Sequence, residues 1–237
     1  MTASSPGWTE LAKASWPEIP VDPVVLIPTG STEQHGPHLP FDTDSVVARA
    51  VATGVAAALP GQVVVAPTIP FGASGEHADF PGTVSIGHEA LHSLLVETVR
   101  SLDLWAGRIV FVNGHGGNVV TVRRVVDEMQ TEGHSVDWAP CVLPGGDAHA
   151  GRTETSLMLH LRPNDVRLDL AVPGDSTPMR ELLPRLMRGG VRAVSPNGIL
   201  GDPTGASAAE GRAFLATMVD GVVGRISASA ASDATSR

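Results

Sequence analysis

The chain has very few of the residues that would place it outside the cell or assign its chemistry to tyrosine or lysine. Its 237 residues include one cysteine, Cys141, a single lysine, Lys13, and no tyrosine. One cysteine excludes an intrachain disulfide, and nothing else points to an oxidising compartment, so we expect a cytoplasmic protein. Histidines and carboxylates are therefore the candidate catalytic side chains.

Basic residues and long apolar runs are also scarce. Lysine and arginine together number 16 against 25 aspartates and glutamates, which gives a formal net charge of −9. This balance argues against nucleic acid or an anionic membrane as a partner. No stretch reaches the roughly 20 apolar residues of a membrane span, and the N-terminus lacks the pattern of a signal peptide. Small or peptidic substrates remain open.

Short β-branched runs alternate with Ala- and Leu-rich helical patterns, which is typical of βα units around a mostly parallel sheet. We predict strands at 24–28, 63–67, 108–112 and 136–143, and helices at 44–59, 87–104, 119–131, 145–161, 178–188 and from 206. The length suits one α/β domain with a substantial core. We expect a single domain over 1–237, with loose termini at 1–15 and 229–237.

Titratable residues follow each of the four predicted strands. In chain order they are Glu33 and His35, Glu76 and His77, His115, and His149 and Glu154. The ends that follow parallel strands gather at one edge of the sheet, where α/β folds bind ligands. We therefore expect these four groups to converge.

The first group lies in the segment 31–44. Glu33 and His35 are two residues apart and point the same way in an extended segment, so both could face one cation. Asp44, near a helix start, could bridge two cations. Alternatively, Asp42 or Asp44 caps the helix and His35 belongs to a turn. Taken alone, the segment supports both interpretations, and His38 is better explained by a role in supporting the ligands or by a structural role.

The later groups are also open to two interpretations. In Asn113-Gly-His-Gly-Gly-Asn118 the glycines bring the backbone close to a ligand and leave His115 exposed, while Asn118 could cap the next helix. The alternative is a glycine-rich turn with an incidental histidine. Glu154 lies five residues after His149 at the start of a predicted helix. It could be a ligand, but a glutamate in the first turn of a helix is also typical of capping.

Together these blocks resemble the creatininase (creatinine amidohydrolase) family. The resemblance rests on five segments that span nearly the whole chain: 30–40 with Asp44, 80–83, 113–118, 149–156 and 195–203. Within the family, segments 74–77, 100–102, 147–156 and 195–203 are together most similar to the mycofactocin-system members, which are peptidases that mature a ribosomally made redox-cofactor precursor.

The resemblance implies a single-domain three-layer α/β/α sandwich, a homo-oligomer and two divalent metal ions per chain, with zinc, iron or manganese as candidates. Glu33 and His115 would hold one ion and His35 the other, with Asp44 between them. In creatininase the remaining ligand of the second ion is a glutamate two residues after the metal-binding histidine, but this chain has Gly117 at that position. Glu154 can take that place, as related pyrimidine-nucleotide deformylases suggest.

The resemblance also implies hydrolysis of an amide bond near the C-terminus of the modified precursor peptide, which releases its Val-Tyr-derived end. Creatinine or formamide-type hydrolysis is an alternative, and a non-catalytic metal- or ligand-binding protein is another. We expect His149, which titrates near neutrality unless its surroundings perturb it, as the general acid, with Glu76 as a second catalytic candidate. The expected substrate-binding residues are Ser74, His77, Gly116 and Gly117.

Overall fold

The central element is a five-stranded sheet in the order β1-β3-β2-β4-β5 in which every pair of neighbours is parallel. The structure is a computed structural model that describes residues 7–235, with side chains described through residue 228. The strands are β1 Thr9–Glu10, β2 Val24–Thr29, β3 Val63–Val65, β4 Arg108–Asn113 and β5 Val136–Pro140.

Helices cover both faces of this sheet. They are α1 Thr43–Ala58, α2 Gly87–Leu102, α3 Val119–Thr131, α4 Arg152–Leu161, α5 Met179–Val194 and α6 Ala208–Thr235. Helices α2 and α3 pack on one face, and α1 and α6 pack on the other. This arrangement confirms the predicted α/β/α sandwich. None of the helices in the described residues is long and apolar enough to cross a membrane.

The sequence of β4 explains the two layers. Ile109 and Phe111 join the core under α2 and α3, whereas Val110 and Val112 join the core under α1 and α6. Successive strand side chains point to opposite faces, so a strand covered by helices on both sides is apolar at every position. All four side chains are fully buried, and burial contributes about 1.5–3 kcal/mol for each large one.

Two sequence predictions are wrong at the level of elements. Residues 9–13 were expected to be loose, but Thr9–Glu10 pair with β3 and a 3-10 turn follows at Leu11–Lys13. A two-residue strand is too short to show periodicity. The helix expected from residue 145 begins only at Arg152, because residues 145–151 form a loop in which Gly145 and Ala150 have positive φ.

Helix α5 was expected to stop at Arg188, and its backbone leaves the helical conformation at Gly190, where φ is +67°, before a further short helical segment that ends at Val194. The predicted loose end at 229–237 falls on residues whose side chains are not described, and residues 236–237 lie outside the description.

Asn118 brings the loops at one edge of the sheet together. It makes no side-chain capping hydrogen bond with α3 in the described structure, so its predicted capping role is wrong. Instead its Oδ1 accepts from the backbone N–H of Ala73 at 2.9 Å, and its Nδ2 donates to the carbonyl of Gly30 at 2.9 Å. The loops after β2 and β3 are thereby joined to the start of α3, which places the candidate site.

Candidate active site

The loops that follow β2, β3, β4 and β5 meet in a buried cluster of carboxylates and imidazoles. Its most buried members, each less than one-tenth exposed, are Glu33, His35, Asp44, His77, His115 and His149. The convergence predicted from the strand ends is therefore observed.

Asp44 lies between two histidines. Its Oδ1 is 3.1 Å from Nε2 of His35, and its Oδ2 is 3.2 Å from Nδ1 of His115. Ser31 donates its hydroxyl to the same Oδ2 at 2.7 Å. Burial opposes ionisation, but the neighbouring His35 and His115 hold the pKa of the Asp44 carboxyl well below its usual range. Neither Asp42, at the N-cap, nor Asp44 provides the side-chain capping bond to α1 in the described residues.

Glu33 is fully buried beside three imidazoles. Its Oε2 lies 3.2 Å from Nε2 of His115, and its Oε1 lies 3.2 Å from Nε2 of His77. Neither oxygen has an aligned hydrogen-bond donor among the described residues. Burial raises the pKa of Glu33 to about 7, against the opposing effect of His115. A buried carboxylate of this kind costs several kcal/mol unless a cation or a donor compensates it, so the site fits a divalent ion.

The histidines fall into two electrostatic classes. Burial lowers the pKa of His35 and His115, but Asp44 and Glu33 outweigh it and raise both values to about 10. The negative charges of Asp44 and Glu33 that hold these protons on the imidazoles also attract a metal cation. Burial, with His35 nearby, lowers the pKa of His77 to about 3 and that of His149 well below its usual value. His149 is therefore neutral at pH 7, because its surroundings shift its pKa away from the near-neutral value expected of an unperturbed histidine.

Two glutamates lie at the edge of the cluster. Glu154, in the first turn of α4, accepts from the backbone N–H of Ala150 at 2.6 Å and lies 3.8 Å from Nε2 of His35. The helix-capping interpretation and the ligand interpretation of this residue are thus compatible. Glu76 is one-third exposed, and its Oε1 lies 3.8 Å from Nε2 of His115. Both carboxylates can reach a ligand held at the cluster.

Three groups of side chains could each hold a metal ion, because their ligand atoms lie within 4.8 Å of one another. They are Glu33, His35 and Asp44; His35, His149 and Glu154; and Glu33, His77 and His149. Four of the five ligands expected from the sequence occur in these groups. His115 is absent from them but lies against both Glu33 and Asp44. His77 and His149, expected to bind substrate or catalyse, are additional candidate ligands.

The glycine loop after β4 determines how close the backbone comes to this cluster. A Cβ at Gly117 would lie 2.3 Å from the carbonyl oxygen of Ala73 and 2.4 Å from Nε2 of His115. His115 is 5% exposed, so its predicted exposure is wrong. The hydroxyl of the fully buried Ser74 lies 3.3 Å from Nε2 of His115. His38, also buried, bonds Thr155 through Nε2 at 2.9 Å, which agrees with a structural role.

The cluster is reached from two cavities. The larger, about 770 Å³, exposes Glu33, His115 and His149 together with Gly116 and Gly117, and α5 forms an apolar wall with Met179, Leu183 and Met187. The smaller, about 290 Å³, is lined by Asp44, Glu154 and Cys141 among others. A site with polar residues at its base and an apolar wall suits a small organic or peptidic ligand.

Buried carboxylates and imidazoles at the carboxyl edge of a parallel sheet define the class of metal-dependent α/β hydrolases. The model of one family, described as creatinine amidohydrolase, matches residues 8–226. The chain belongs to the creatininase family, whose members hydrolyse C–N bonds.

Relatives of two kinds are similar to this chain. A mycofactocin precursor peptide peptidase of Mycobacterium tuberculosis is 53% identical over 226 residues, which cover 92% of this chain and 90% of the relative. One from Mycolicibacterium smegmatis is 56% identical and covers 86% and 84%. The creatinine amidohydrolase of Pseudomonas putida is 29% identical and covers 86% and 89%.

Solved creatininase structures have the same fold. A form designated Mn superposes with a TM-score of 0.76 at 27% identity, covering 92% of this chain and 97% of the other. A Zn-Zn type variant gives 0.74 at 26% identity, covering 94% and 98%. With the buried cluster, these structures support divalent metal binding at this site.

Proposed function

We propose that the protein is a dinuclear metal-dependent peptidase. It cleaves the modified mycofactocin precursor peptide near the C-terminus and releases the Val-Tyr-derived end. The observation that carries the metal chemistry is the Asp44 carboxylate, whose two oxygens each face a different histidine. The substrate assignment is supported by the peptidases that are 53% and 56% identical to this chain.

The side chains divide between two ions. Glu33 and His115 would hold one ion, His35 and Glu154 the other, and Asp44 would contact both. Such a mixture of oxygen and imidazole ligands suits zinc, iron and manganese. When bound, such ions supply Lewis acidity that polarises a carbonyl and makes water acidic enough to attack near neutral pH.

The remaining side chains move protons and orient the substrate. His149 is neutral in this environment, so one ring nitrogen is free to take up the proton of the attacking water and pass it to the leaving nitrogen; its lowered pKa makes the ring a weak base that gives the proton up readily, which favours the delivery step. Glu76, at the cavity mouth, orients the water or the substrate. Ser74, His77 and the backbone at Gly116 and Gly117 bind the peptide around the scissile bond.

The apolar wall of the larger cavity fits this substrate. Met179, Leu183 and Met187 are between two-fifths and four-fifths exposed and line the same cavity as Glu33 and His149. Valine and tyrosine side chains gain free energy by leaving water for such a surface. Creatinine has no comparable apolar part.

The substrate assignment is tested by incubating the metal-loaded protein with three compounds separately. These are the modified precursor peptide, creatinine and a formylaminopyrimidine nucleotide, with product formation followed by mass spectrometry. We expect cleavage of the peptide alone. Turnover of creatinine or of the formyl compound in its place would overturn the assignment. Metal binding without turnover of any of the three would favour a non-catalytic binding protein.

Metal analysis of the active protein tests the dinuclear centre. We expect two divalent ions per chain, and fewer than two per active chain would contradict the proposal. We also propose a cytoplasmic homo-oligomer, which is supported by the lone cysteine and by the exposed apolar side chains of Trp16 and Val21.

A further inference from the structure

Gln34 lies between two candidate metal ligands in the sequence, and its side chain contacts two histidines and two backbone groups. The residue is 5% exposed. Its Oε1 accepts from the backbone N–H of Gly36 at 2.9 Å, and its Nε2 donates to the carbonyl of Gly198 at 2.9 Å. The same Nε2 lies 2.8 Å from Nδ1 of His77 and 3.1 Å from Nε2 of His149.

The surrounding backbone fixes the orientation of this amide. A backbone N–H only donates and a carbonyl only accepts. If Oε1 and Nε2 were exchanged, the amide NH₂ would face the N–H of Gly36 and the amide oxygen would face the carbonyl of Gly198, and both hydrogen bonds would be lost. A Cβ at Gly198 would lie 1.9 Å from Oε1 of Gln34, and the φ of Gly198 is +80°. The loop containing Gly198 therefore packs directly on the Gln34 side chain.

The protonation of His149 follows from its contact with the Gln34 backbone. Nε2 of His149 lies 2.8 Å from the carbonyl oxygen of Gln34. Because that oxygen only accepts, Nε2 must carry the hydrogen. The other nitrogen, Nδ1, is then bare and faces the cluster, 3.7 Å from Oε1 of Glu33.

The protonation of His77 follows from counting the amide hydrogens of Gln34. One of the two hydrogens on Nε2 goes to the carbonyl of Gly198. The other goes to Nδ1 of His77, the nearest remaining acceptor, at 2.8 Å. Nδ1 is therefore bare, and the ring carries its hydrogen on Nε2, where it faces the Glu33 carboxylate.

We infer that Gln34 is a positioning residue that sets the tautomers of two histidines and so excludes His77 from the metal site. A ring that coordinates through Nε2 while remaining neutral must be protonated on Nδ1, and that N–H would oppose the amide N–H of Gln34. The group Glu33, His77 and His149 is therefore not a metal site. His149 instead presents its bare Nδ1 to the cluster. The catalytic consequence, though not the tautomers, rests on the proposed function.

Nitrogen NMR of the ring atoms tests the inference without any substrate. The zinc-loaded full chain is labelled with ¹⁵N-histidine, and His77→Gln and His149→Gln variants assign the signals. We expect a protonated Nε2 in both rings, with an unprotonated Nδ1 that bears no metal in His77. A protonated Nδ1 in His77, or zinc coordination through its Nε2, would overturn the inference. A protonated Nδ1 in His149 would do the same.

The variant Gln34→Glu tests whether the amide is responsible. A carboxylate accepts where the amide donates, so Nδ1 of His77 should become protonated. Gln130→Glu is the matched control, because the Gln130 amide bonds a backbone carbonyl, that of Val136, outside the site. An unchanged His77 tautomer in Gln34→Glu would overturn the role of the amide. If this variant does not fold, Gln34→Met, which lacks the amide, takes its place. A His77 tautomer in Gln34→Met that is identical to the wild-type tautomer would then overturn the role of the amide.

Kinetics separates positioning from general destabilisation. Removing such a hydrogen-bond partner typically lowers activity by about 10- to 100-fold. We expect that loss in kcat/KM for Gln34→Met, mainly through a raised KM because His77 binds the peptide, with metal content close to wild type. A wild-type kcat/KM, or a loss of bound metal, would overturn the positioning role. Failure of the wild-type protein to cleave the peptide would contradict the proposed function but would leave the NMR result intact.

Discussion

Asp44 shows how one residue can belong to a helix and to a functional site together. It lies in the first turn of α1, where an acidic side chain is favourable, yet its carboxylate contacts Ser31, His35 and His115. Glu154 does the same in α4, because it bonds the Ala150 amide while facing His35. At the residue scale, a capping pattern therefore does not argue against a role in the site.

The first prediction concerns the proton carrier. His149→Gln removes the imidazole that faces the cluster but keeps a polar side chain of similar length. We expect kcat to fall by about 10²- to 10⁴-fold, as is typical when a general acid–base group is lost. Metal content, measured by elemental analysis, should stay at the wild-type value. An unchanged rate would exclude His149 as the proton carrier.

The second prediction concerns Gly117. A methyl group there would meet the Ala73 carbonyl at 2.3 Å and would press on the His115 ring. We expect Gly117→Ala to lower the free energy of unfolding by about 1–3 kcal/mol, the usual cost of overpacking. Chemical denaturation measures this change. At Gly116 an added Cβ meets nothing within 4 Å, so equal destabilisation by Gly116→Ala would refute the steric argument.

At the scale of elements, the accuracy of sequence-based prediction follows burial. The run Arg108–Val112 is apolar at nearly every position, which predicts a strand covered on both faces. The structure confirms this, because the core positions of the strand alternate between two helical layers. Helix α3 has the predicted bounds, Val119–Thr131. Strand β1 and the short helical segment after Gly190 escape prediction, since the first is two residues long and the second is a single turn beyond a glycine pair at which the helix breaks.

The third prediction concerns the connection between elements made by Asn118. Asn118→Ala leaves the Ala73 amide and the Gly30 carbonyl without their side-chain partners in a buried region. We expect a loss of about 1–3 kcal/mol in unfolding free energy, with weaker metal binding because the loops after β2 and β3 separate. Isothermal titration with zinc and chemical denaturation measure the two effects.

Asn164→Ala is the matched control for this change, because Asn164 is exposed in a 3-10 turn remote in sequence from those loops. Its variant should keep both the wild-type stability and the wild-type metal affinity. Comparable losses in the two variants would refute a specific role for Asn118 in holding the loops together.

At the scale of the molecule, some apolar side chains remain in contact with water. Trp16 is 87% exposed and Val21 is 81% exposed, and both line a cavity of about 720 Å³ with Trp105. Contiguous exposed apolar surface of this kind is typical of protein interfaces. The patch formed by Trp16, Val21 and Trp105 therefore supports self-association of the chain.

The fourth prediction follows from this patch. Light scattering should give a mass that is a multiple of the 24.5 kDa chain. The double variant Trp16→Ser, Val21→Ser should shift the distribution toward the monomer. Leu104→Ser, which changes an equally exposed side chain outside this cavity, should not. A wild-type mass of one chain would contradict the homo-oligomer.

The sequence by itself determined the layered fold, the family and most of the residues in the cluster. Strand and helix periodicities are local properties, and the titratable groups follow the strands in chain order. Only the tertiary structure decided which atoms meet. Burial of His115, the neutral state of His149, and the contact of Gln34 with His77 depend on loops far apart in the chain. The segment 31–44 holds three of the five proposed ligands, but the pKa values of Glu33, His35 and Asp44 depend on their burial and on His115 and Glu154, which follow other strands, because desolvation and charge act through space.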